Sequence, residues 1–303
     1  MLAGLAAQFE RCSVIDEAIA GVRLETLYGE LYRGDPIAGW AAVQAGSEVP
    51  ARVEALVEAA TRDALTVMFE AAPVLIAVLD RLGRPWIDVR VDPRRFLADL
   101  LLTFRASDPL IGERLARAAL DPDFVAAEIA YVRARHFYMP ATLPPDALVV
   151  LAQVATDASL VHRGAIARPG DFAGEIEAAC RGRAVFLKPH PYDDGSALAA
   201  WRALLPDAGL IETNFYELIA AEPAFDALTL SSGSAAEAAL FGHRARRLIP
   251  APAEEGTAVL HAYWYPGFWD WCLGRGGAPV PVPPPFVPDR LRRVLNLDWS
   301  KRF

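Results

Sequence analysis

The residues of this chain best suited to chemistry follow three short apolar runs in its second half. They are Gln153, Asp157 and Ser159 after the run 147–152, Lys188, Pro189 and His190 after the run 184–187, and Ser231, Ser232, Gly233 and Ser234 after the run 227–230. Lysine and imidazole can neutralise a phosphate, hydroxyls can bind it, and a carboxylate can act as nucleophile or base. The three sets together predict a site for an anionic ligand.

A structural interpretation of the same residues stays open beside this one. Lys-Pro-His-Pro at 188–191 is also a rigid turn, and both Ser231–Ser234 and Asp157 have the chemistry of helix caps. We favour the functional interpretation because polar residues on strand-end loops often carry function. A helix beginning near Ala235 is then expected to offer free N–H groups and its positive dipole end to a phosphate.

The elements that must position these residues alternate between strand and helix. Strands are predicted at 147–152, 184–187, 210–212, 227–230 and 247–249, with helices at 171–180, 196–205, 214–221 and 235–241. This alternation predicts a parallel sheet with right-handed crossovers, and hence a Rossmann-like domain. Ligands of such sheets bind at the carboxyl ends of the strands, so the three sets of residues are expected to face one cleft.

The first half has a different pattern. Helices are predicted at 50–72, 113–120 and 122–135, a strand at 86–91, and a mostly buried element from 94 to 104. A proline-rich stretch at 139–145 is the best linker in the chain. We therefore predict an N-terminal α/β domain at 1–143, a C-terminal Rossmann-like domain at 144–285, and a helical tail at 286–303, with its helix near 289–295.

Composition excludes several classes of protein. A formal net charge of −8 over 303 residues leaves no excess of lysine and arginine for nucleic acid. Cys12, Cys180 and Cys272 are far apart and have no metal-site spacing, which fits a reducing compartment. No window approaches the ~20 apolar residues of a membrane helix. We expect a cytoplasmic protein, with contact at the inner membrane surface left open through the aromatic residues between 263 and 271.

Three further groups of residues have two interpretations each. Asp193 and Asp194 before Gly195 invite a metal site, but such a sequence is more often a solvated turn. Arg94 and Arg95 either contact an anionic substrate or begin a solvated helix. The aromatic residues from Tyr263 to Trp271 either stack on a sugar ring or pack in the core, and we favour the core.

Three segments resemble a known family. Residues 151–160 (LAQVATDASL), 187–191 (LKPHP) and 231–242 (SSGSAAEAALFG) are similar to motifs of the bacterial capsule polysaccharide synthesis family, which includes retaining β-Kdo glycosyltransferases. Residues 82–97 also resemble a segment of its O-antigen-type branch. The likeness covers roughly residues 80–245, and the Lys-Pro-His-Pro and Asp-Ala-Ser elements are its most specific parts.

The resemblance implies two Rossmann-like domains of the GT-B type, with the N-terminal domain on the acceptor side and the C-terminal domain binding the nucleotide sugar. It also implies a retaining transferase that uses CMP-Kdo, with neither metal nor cofactor. By this likeness Asp157 is the nucleophile, His190 binds or protonates the CMP phosphate, and Lys188 supports that charge. The remaining expected contacts to the nucleotide sugar are Pro189, Ser231, Ser232, Gly233 and Ser234 around the phosphate, Glu237 near the ribose, and Gln153 and Ser159 beside Asp157.

The chain departs from the family at two places, and two other functions stay open. Thr156 stands where capsule-type members carry a second acidic residue, and the sequence after Gly242 differs from theirs. The acceptor is expected to be a glycan or lipid-linked saccharide. The alternatives are an inverting, sialyltransferase-like CMP-sugar transferase, in which Asp157 is a base, and a non-catalytic sugar- or nucleotide-binding subunit of a polysaccharide assembly complex.

Overall fold

A computed structural model describes residues 18–19, 22–23, 36–46, 49–138, 142–250, 256–259, 262–264, 266–276 and 290–294. The protein is a mixed α/β structure. Its strands in chain order are β1 (Ala18–Ile19), β2 (Val22–Arg23), β3 (Thr66–Phe69), β4 (Trp86–Val91), β5 (Leu102–Ala106), β6 (Leu148–Leu151), β7 (Val161–His162), β8 (Ala165–Ile166), β9 (Val185–Lys188), β10 (Gly209–Leu210), β11 (Asp226–Thr229), β12 (Arg244–Arg247) and β13 (Thr257–Val259).

The helices surround two larger sheets. The α-helices are Pro36–Gln44, Ala51–Ala60, Pro73–Arg81, Pro109–Arg117, Pro122–His136, Ala173–Cys180, Ser196–Leu204, Phe215–Ala221, Ser234–Leu240, Pro266–Cys272 and Arg290–Val294. Single 3₁₀ turns lie at Ala158–Leu160, Pro169–Phe172 and Ala262–Trp264.

The predicted parallel sheet of the second half is confirmed. It has five strands in the order β10-β9-β6-β11-β12, and every neighbouring pair is parallel. All four residues of β6 are buried, as expected of a central strand covered on both faces. The last strand begins at Arg244, three residues before the predicted one, because its exposed edge position accepts arginines that an apolar pattern does not include.

The first half forms a mixed sheet, where β3 and β4 are parallel and β5 runs antiparallel to β4. The predicted helix at 50–72 is wrong beyond Ala60. Thr61 ends it, with both its backbone N–H and its hydroxyl donating to the carbonyl of Val57. Asp63 then takes a positive φ of 56°, and the chain turns into β3.

Other elements of the first half agree more closely with prediction. The strand at 86–91 is confirmed, and the two predicted helices lie at Pro109–Arg117 and Pro122–His136. The segment 94–100 contains no helix and leads into β5. Of the predicted linker, residues 139–141 lie outside the described residues, as does most of the tail assigned to 286–303.

The segment from 257 to 272 packs on the first sheet, although its position in the chain placed it in the predicted C-terminal domain. β13 pairs antiparallel with β5. Tyr263, Phe268 and Trp269 are fully buried in one cluster with Phe104. Core packing of these three aromatic residues is therefore confirmed, while Tyr265 lies outside the described residues.

A shared core joins the first half to the parallel sheet. Phe96 and Phe241 meet edge-to-face with their ring centroids 5.3 Å apart. The same buried cluster includes Leu97, Val149 and Ile219. This packing holds the segment that follows β4 against the parallel sheet.

Candidate active site

The three predicted sets of residues lie at one edge of the parallel sheet. They follow β6, β9 and β11, and β6 pairs with both of the other strands. The last residues of β6 and β9, Leu151 and Lys188, are direct partners in the ladder. The loops therefore begin side by side, as the parallel arrangement predicts.

Asp157 is both a cap and an oriented carboxylate. It caps the turn Ala158–Leu160, and its Oδ1 accepts the Ser159 backbone N–H and the Ser159 hydroxyl, each at 2.8 Å. Its Oδ2 lies 3.4 Å from Nε2 of Gln153. The half-buried side chain thus has one oxygen fixed by short hydrogen bonds, which leaves Oδ2 as the better placed atom for chemistry.

Gln153 connects Asp157 to the loop formed by Ser231, Ser232, Gly233 and Ser234, called the serine loop below. Its buried Oε1 accepts the Ser231 backbone N–H at 2.9 Å, the Ser231 hydroxyl at 3.1 Å and the Thr229 hydroxyl at 3.3 Å. Its Nε2 donates to the Ser159 hydroxyl at 2.9 Å. The backbone donor on Oε1 settles which end of the amide is the oxygen.

The two linked serines connect Gln153 to Asp157. The hydroxyls of Ser159 and Ser231 lie 2.9 Å apart, and either can be the donor. Each hydroxyl has one proton and two acceptors within reach, Asp157 or Ser231 for Ser159 and Gln153 or Ser159 for Ser231, so these contacts are not all donated at once. The result is a chain of hydrogen bonds from β11 across β6 to the carboxylate.

The neutral ring of His190 is a hydrogen-bond donor through Nε2. Its Nδ1 accepts the backbone N–H of Tyr192 at 3.1 Å, so the proton of the neutral ring resides on Nε2. Burial is the largest influence on its pKa and lowers it; the charge of Asp157 acts in the opposite direction. Burial also lowers the pKa of the neighbouring Lys188.

The serine loop differs in detail from the prediction of free helix N–H groups. The backbone N–H of Ser234 donates to the Ser232 hydroxyl at 3.2 Å, and those of Ala235 and Ala236 donate to the carbonyls of Ser232 and Gly233. These N–H groups are occupied because the loop turns tightly into a helix of seven residues. Anion binding at this loop is left to the hydroxyl groups.

Gly233 and Glu237 face the segment that follows β4. A Cβ added to Gly233 would lie 2.8 Å from Cβ of Pro93. The buried Oε1 of Glu237 accepts the backbone N–H of Arg95 at 2.7 Å and that of Phe96 at 3.2 Å. The Glu237 carboxylate is therefore already hydrogen-bonded within the protein, and burial raises its pKa to about 7.

Sequence reasoning missed two contributors to the site. Thr229 was counted as part of an apolar strand, yet its hydroxyl contacts Gln153 and the Leu151 carbonyl. Arg247 donates through its guanidinium to the Ser231 carbonyl. The signal in the sequence was a polar residue at the end of each of two strands. Which loop such a residue contacts depends on the strand order, and the sequence does not reveal that order.

The acidic pair beside His190 has a structural role. The Asp193 carboxylate accepts the backbone N–H groups of Ala197 and Leu198, and Asp194 accepts that of Ser196. Both therefore accept N–H groups of the first turn of the helix Ser196–Leu204, whose N-cap residue is Gly195. Within the described ranges, no three His, Cys, Asp or Glu residues are grouped as metal ligands would be. In the same part of the chain, no helix has the length and apolarity needed to span a bilayer.

Comparisons with known proteins give a weak structural likeness. No protein-family model and no curated protein matches the sequence. Among solved structures, the β-Kdo 2,7 transferase of Thermosulfurimonas dismutans KpsC has a TM-score of 0.39 at 13% identity, over 66% of this chain and 69% of that one. The β-Kdo 2,4 transferase of the same organism's KpsC has a TM-score of 0.35 at 12% identity, over 59% and 67%.

Proposed function

We propose that this protein is a retaining glycosyltransferase of GT-B type that moves Kdo from CMP-Kdo to a glycan or lipid-linked acceptor in surface polysaccharide synthesis. The observation that carries the proposal is the oriented carboxylate of Asp157 at the sheet edge that also presents Lys188 and His190. A nucleophile beside anion-binding groups is what displacement of a nucleotide from a sugar requires. The three family-like motifs converge on this one edge.

The first displacement uses Asp157. An oxygen of its carboxylate attacks the anomeric carbon of the sugar, and the bond from that carbon to the phosphate oxygen breaks. The electron pair leaves on the CMP phosphate. Ser159 and Gln153 hold the carboxylate from the side of the protein, so that the attacking oxygen does not have to be ordered during the reaction.

The second displacement restores the enzyme. The acceptor hydroxyl oxygen attacks the same carbon from the face that CMP has left, and its proton passes to water. The bond between the carbon and Asp157 breaks, and its electron pair returns to the carboxylate. Two inversions at one carbon give net retention of configuration, which a single carboxylate close to the anomeric centre can provide.

His190 and Lys188 bind the leaving phosphate in this scheme. A neutral ring with its proton on Nε2 is a hydrogen-bond donor rather than a general acid, because loss of that proton would leave an imidazolate. We therefore favour a His190 that binds the phosphate over a His190 that protonates the phosphate. The hydroxyls of Ser232 and Ser234 lie on the loop after β11 and complete the proposed phosphate contacts.

Calorimetric titration with CMP, UMP, GDP and ADP tests the nucleotide assignment. We expect selective CMP binding by the wild-type protein and a loss of at least about tenfold in affinity for His190→Ala, the value of one charge-assisted hydrogen bond. His162→Ala is a matched control, since His162 follows β6 on a separate hairpin. Equal binding of all four nucleotides, or of none, would exclude a CMP-sugar donor.

A further inference from the structure

The serine loop contains one serine whose surroundings differ from those of its neighbours. Ser231 is 1% exposed, whereas Ser232 and Ser234 are half-buried. The hydroxyl of Ser231 lies 3.1 Å from Oε1 of Gln153 and 2.9 Å from the hydroxyl of Ser159. Both contacts are made to the loop after β6, so the Ser231 hydroxyl is not presented to a ligand that enters from solvent.

The backbone of Ser231 is held at both of its polar groups. Its N–H donates to Oε1 of Gln153 at 2.9 Å, and its carbonyl accepts a hydrogen bond from the guanidinium of Arg247. The N–H of the next residue, Ser232, donates to the hydroxyl of Thr229 at 3.2 Å. Because the main chain is fixed on either side, the fold itself sets the direction of the Ser231 side chain.

Ser159 lies between Ser231 and the carboxylate of Asp157. The Ser159 oxygen is 2.9 Å from Nε2 of Gln153, 2.9 Å from the Ser231 hydroxyl and 2.8 Å from Oδ1 of Asp157. A hydroxyl donates more strongly to an ionised carboxylate than to another hydroxyl, since a charge-assisted hydrogen bond is about twice as strong as a neutral one. While Asp157 is ionised, the favoured arrangement therefore has Ser231 donating to Ser159 and Ser159 donating to Asp157.

The Ser159 hydroxyl needs this support because Ser159 is exposed. Water competes for its proton and for its lone pairs, and a hydroxyl rotates readily to suit whichever partner is present. Donors from Gln153 and Ser231 can occupy the Ser159 oxygen from the side of the protein, which leaves its proton directed to Asp157. Without the Ser231 hydroxyl, Gln153 would be the single one of these two donors to hold the Ser159 oxygen.

We propose that Ser231 is a positioning residue for Asp157, which acts through the hydroxyl of Ser159, and that it is not a ligand of the phosphate. The inference rests on the proposed function. The sequence groups the serines after β11 as one anion-binding set, but only Ser232 and Ser234 then remain for the leaving phosphate. Ser231 instead helps to order the nucleophile before the reaction, which lowers the entropic cost of the attack.

Two neighbouring serines of one loop provide a matched test. Ser231→Ala and Ser234→Ala, each checked for a cooperative urea transition, are compared with wild type. The measurements are CMP affinity by calorimetry and the rate constant of glycosyl-enzyme formation at saturating CMP-Kdo by rapid-quench mass spectrometry. We expect Ser231→Ala to lower the rate constant by about 3- to 10-fold, the value of one neutral hydrogen bond, with CMP affinity within about twofold of wild type. Ser234→Ala should instead lower the CMP affinity.

A double-mutant cycle with Ser159→Ala separates positioning from a general structural role. If Ser231 acts through Ser159, Ser231→Ala should change the rate constant by less than about twofold in the Ser159→Ala background. Three results overturn the proposal: the full loss in that background, an unchanged rate constant in Ser231→Ala alone, or a loss of CMP affinity in Ser231→Ala equal to that in Ser234→Ala. Absence of a glycosyl-enzyme in the wild-type protein would instead refute the proposed function.

Discussion

The hydrogen bonds of Asp157 are compatible with both a structural and a catalytic interpretation. Its Oδ1 receives both hydrogen bonds from Ser159, while Gln153 holds the Ser159 hydroxyl from the other side. Capping and catalysis are thus compatible interpretations of the same residue. They use different oxygen atoms of one carboxylate.

Gln153 is the residue whose loss should reveal the network most clearly. Gln153→Ala leaves the buried Ser231 N–H without its acceptor, and we expect the free energy of unfolding to fall by about 1–3 kcal/mol. Urea unfolding measures this change. Ser159→Ala, at an exposed position, should cost less than about 1 kcal/mol. Equal losses for the two variants would contradict the assigned network.

The state of His190 predicts a pH profile. Because burial lowers its pKa, the ring is neutral at pH 7 and stays neutral as the pH rises. We expect no fall in kcat/KM that depends on His190 between about pH 6.5 and 8.5, since its unperturbed pKa is about 6.5. A tenfold loss per pH unit in that range, absent from His190→Gln, would show a general acid instead.

The placement of the candidate residues could be predicted where it depends on strand ends, but not where it depends on contacts across the fold. The loops after β6, β9 and β11 could be brought together from their spacing alone. The partners of Glu237 could not, because the Arg95 N–H it accepts is 142 positions away. The sequence around Glu237, Ser-Ala-Ala-Glu at the start of a helix, does not indicate such a distant partner.

At the scale of elements, Glu237 couples the helix Ser234–Leu240 to the segment after β4 in a manner that depends on pH. Its pKa rises from the ordinary 4.5 to about 7 on folding, so the folded state binds this proton more tightly than the unfolded state. Its contribution to stability is therefore complete below pH 4.5 and is lost as the pH rises through 7. Between these two pH limits, the contribution of Glu237 to the free energy of unfolding falls by roughly 3 kcal/mol.

Comparison with Glu237→Gln isolates that contribution. The free energy of unfolding of the wild-type protein, relative to the glutamine variant, should decrease by roughly 3 kcal/mol between pH 4.5 and 8, since the amide does not titrate. Chemical denaturation at several pH values measures it. Glu222→Gln, at a half-buried position whose carboxylate contacts Thr142, is the control for a carboxylate that is not fully buried. Parallel pH curves for the wild-type protein and Glu237→Gln would contradict the coupling.

Element boundaries could be predicted only in part, even where the sequence carries an explicit signal. Asp121 caps the helix that begins at Pro122, as predicted, whereas Asp108 caps a helix that begins at Pro109, four residues before its predicted start at 113. The helix predicted at 50–72 was too long because the helical spacing of apolar residues continues beyond Thr61. The turn there depends on a positive φ at Asp63, which a helical pattern does not reveal.

For the whole molecule, the unexpected feature is the return of the chain to its first sheet. β13 reaches β5, and the helix Pro266–Cys272 buries its aromatic residues against that sheet. Position along the chain placed both in the second half. An apolar aromatic run specifies that it must be buried, but it does not specify which of two sheets covers it.

Gly233 tests the close contact between the two halves. Gly233→Ala places a Cβ 2.8 Å from a ring carbon of Pro93, which has little freedom to move. We expect a loss of about 1–3 kcal/mol in stability, together with reduced turnover of CMP-Kdo as the loop that carries Ser232 and Ser234 shifts. Gly174→Ala is the control, because no atom lies within 4 Å of its added Cβ. Equal stability of the two variants would mean that the halves do not meet here.

Intact-protein mass spectrometry after incubation with CMP-Kdo, without acceptor, tests the central claim most directly. We predict a mass increase of one Kdo residue, mapped to the peptide that contains Asp157 and absent from Asp157→Asn. Asp121→Asn, which alters the cap of the helix Pro122–His136, should retain the adduct. CMP-Kdo turnover without any adduct in the wild-type protein, or an adduct that persists in Asp157→Asn, would contradict Asp157 as the nucleophile.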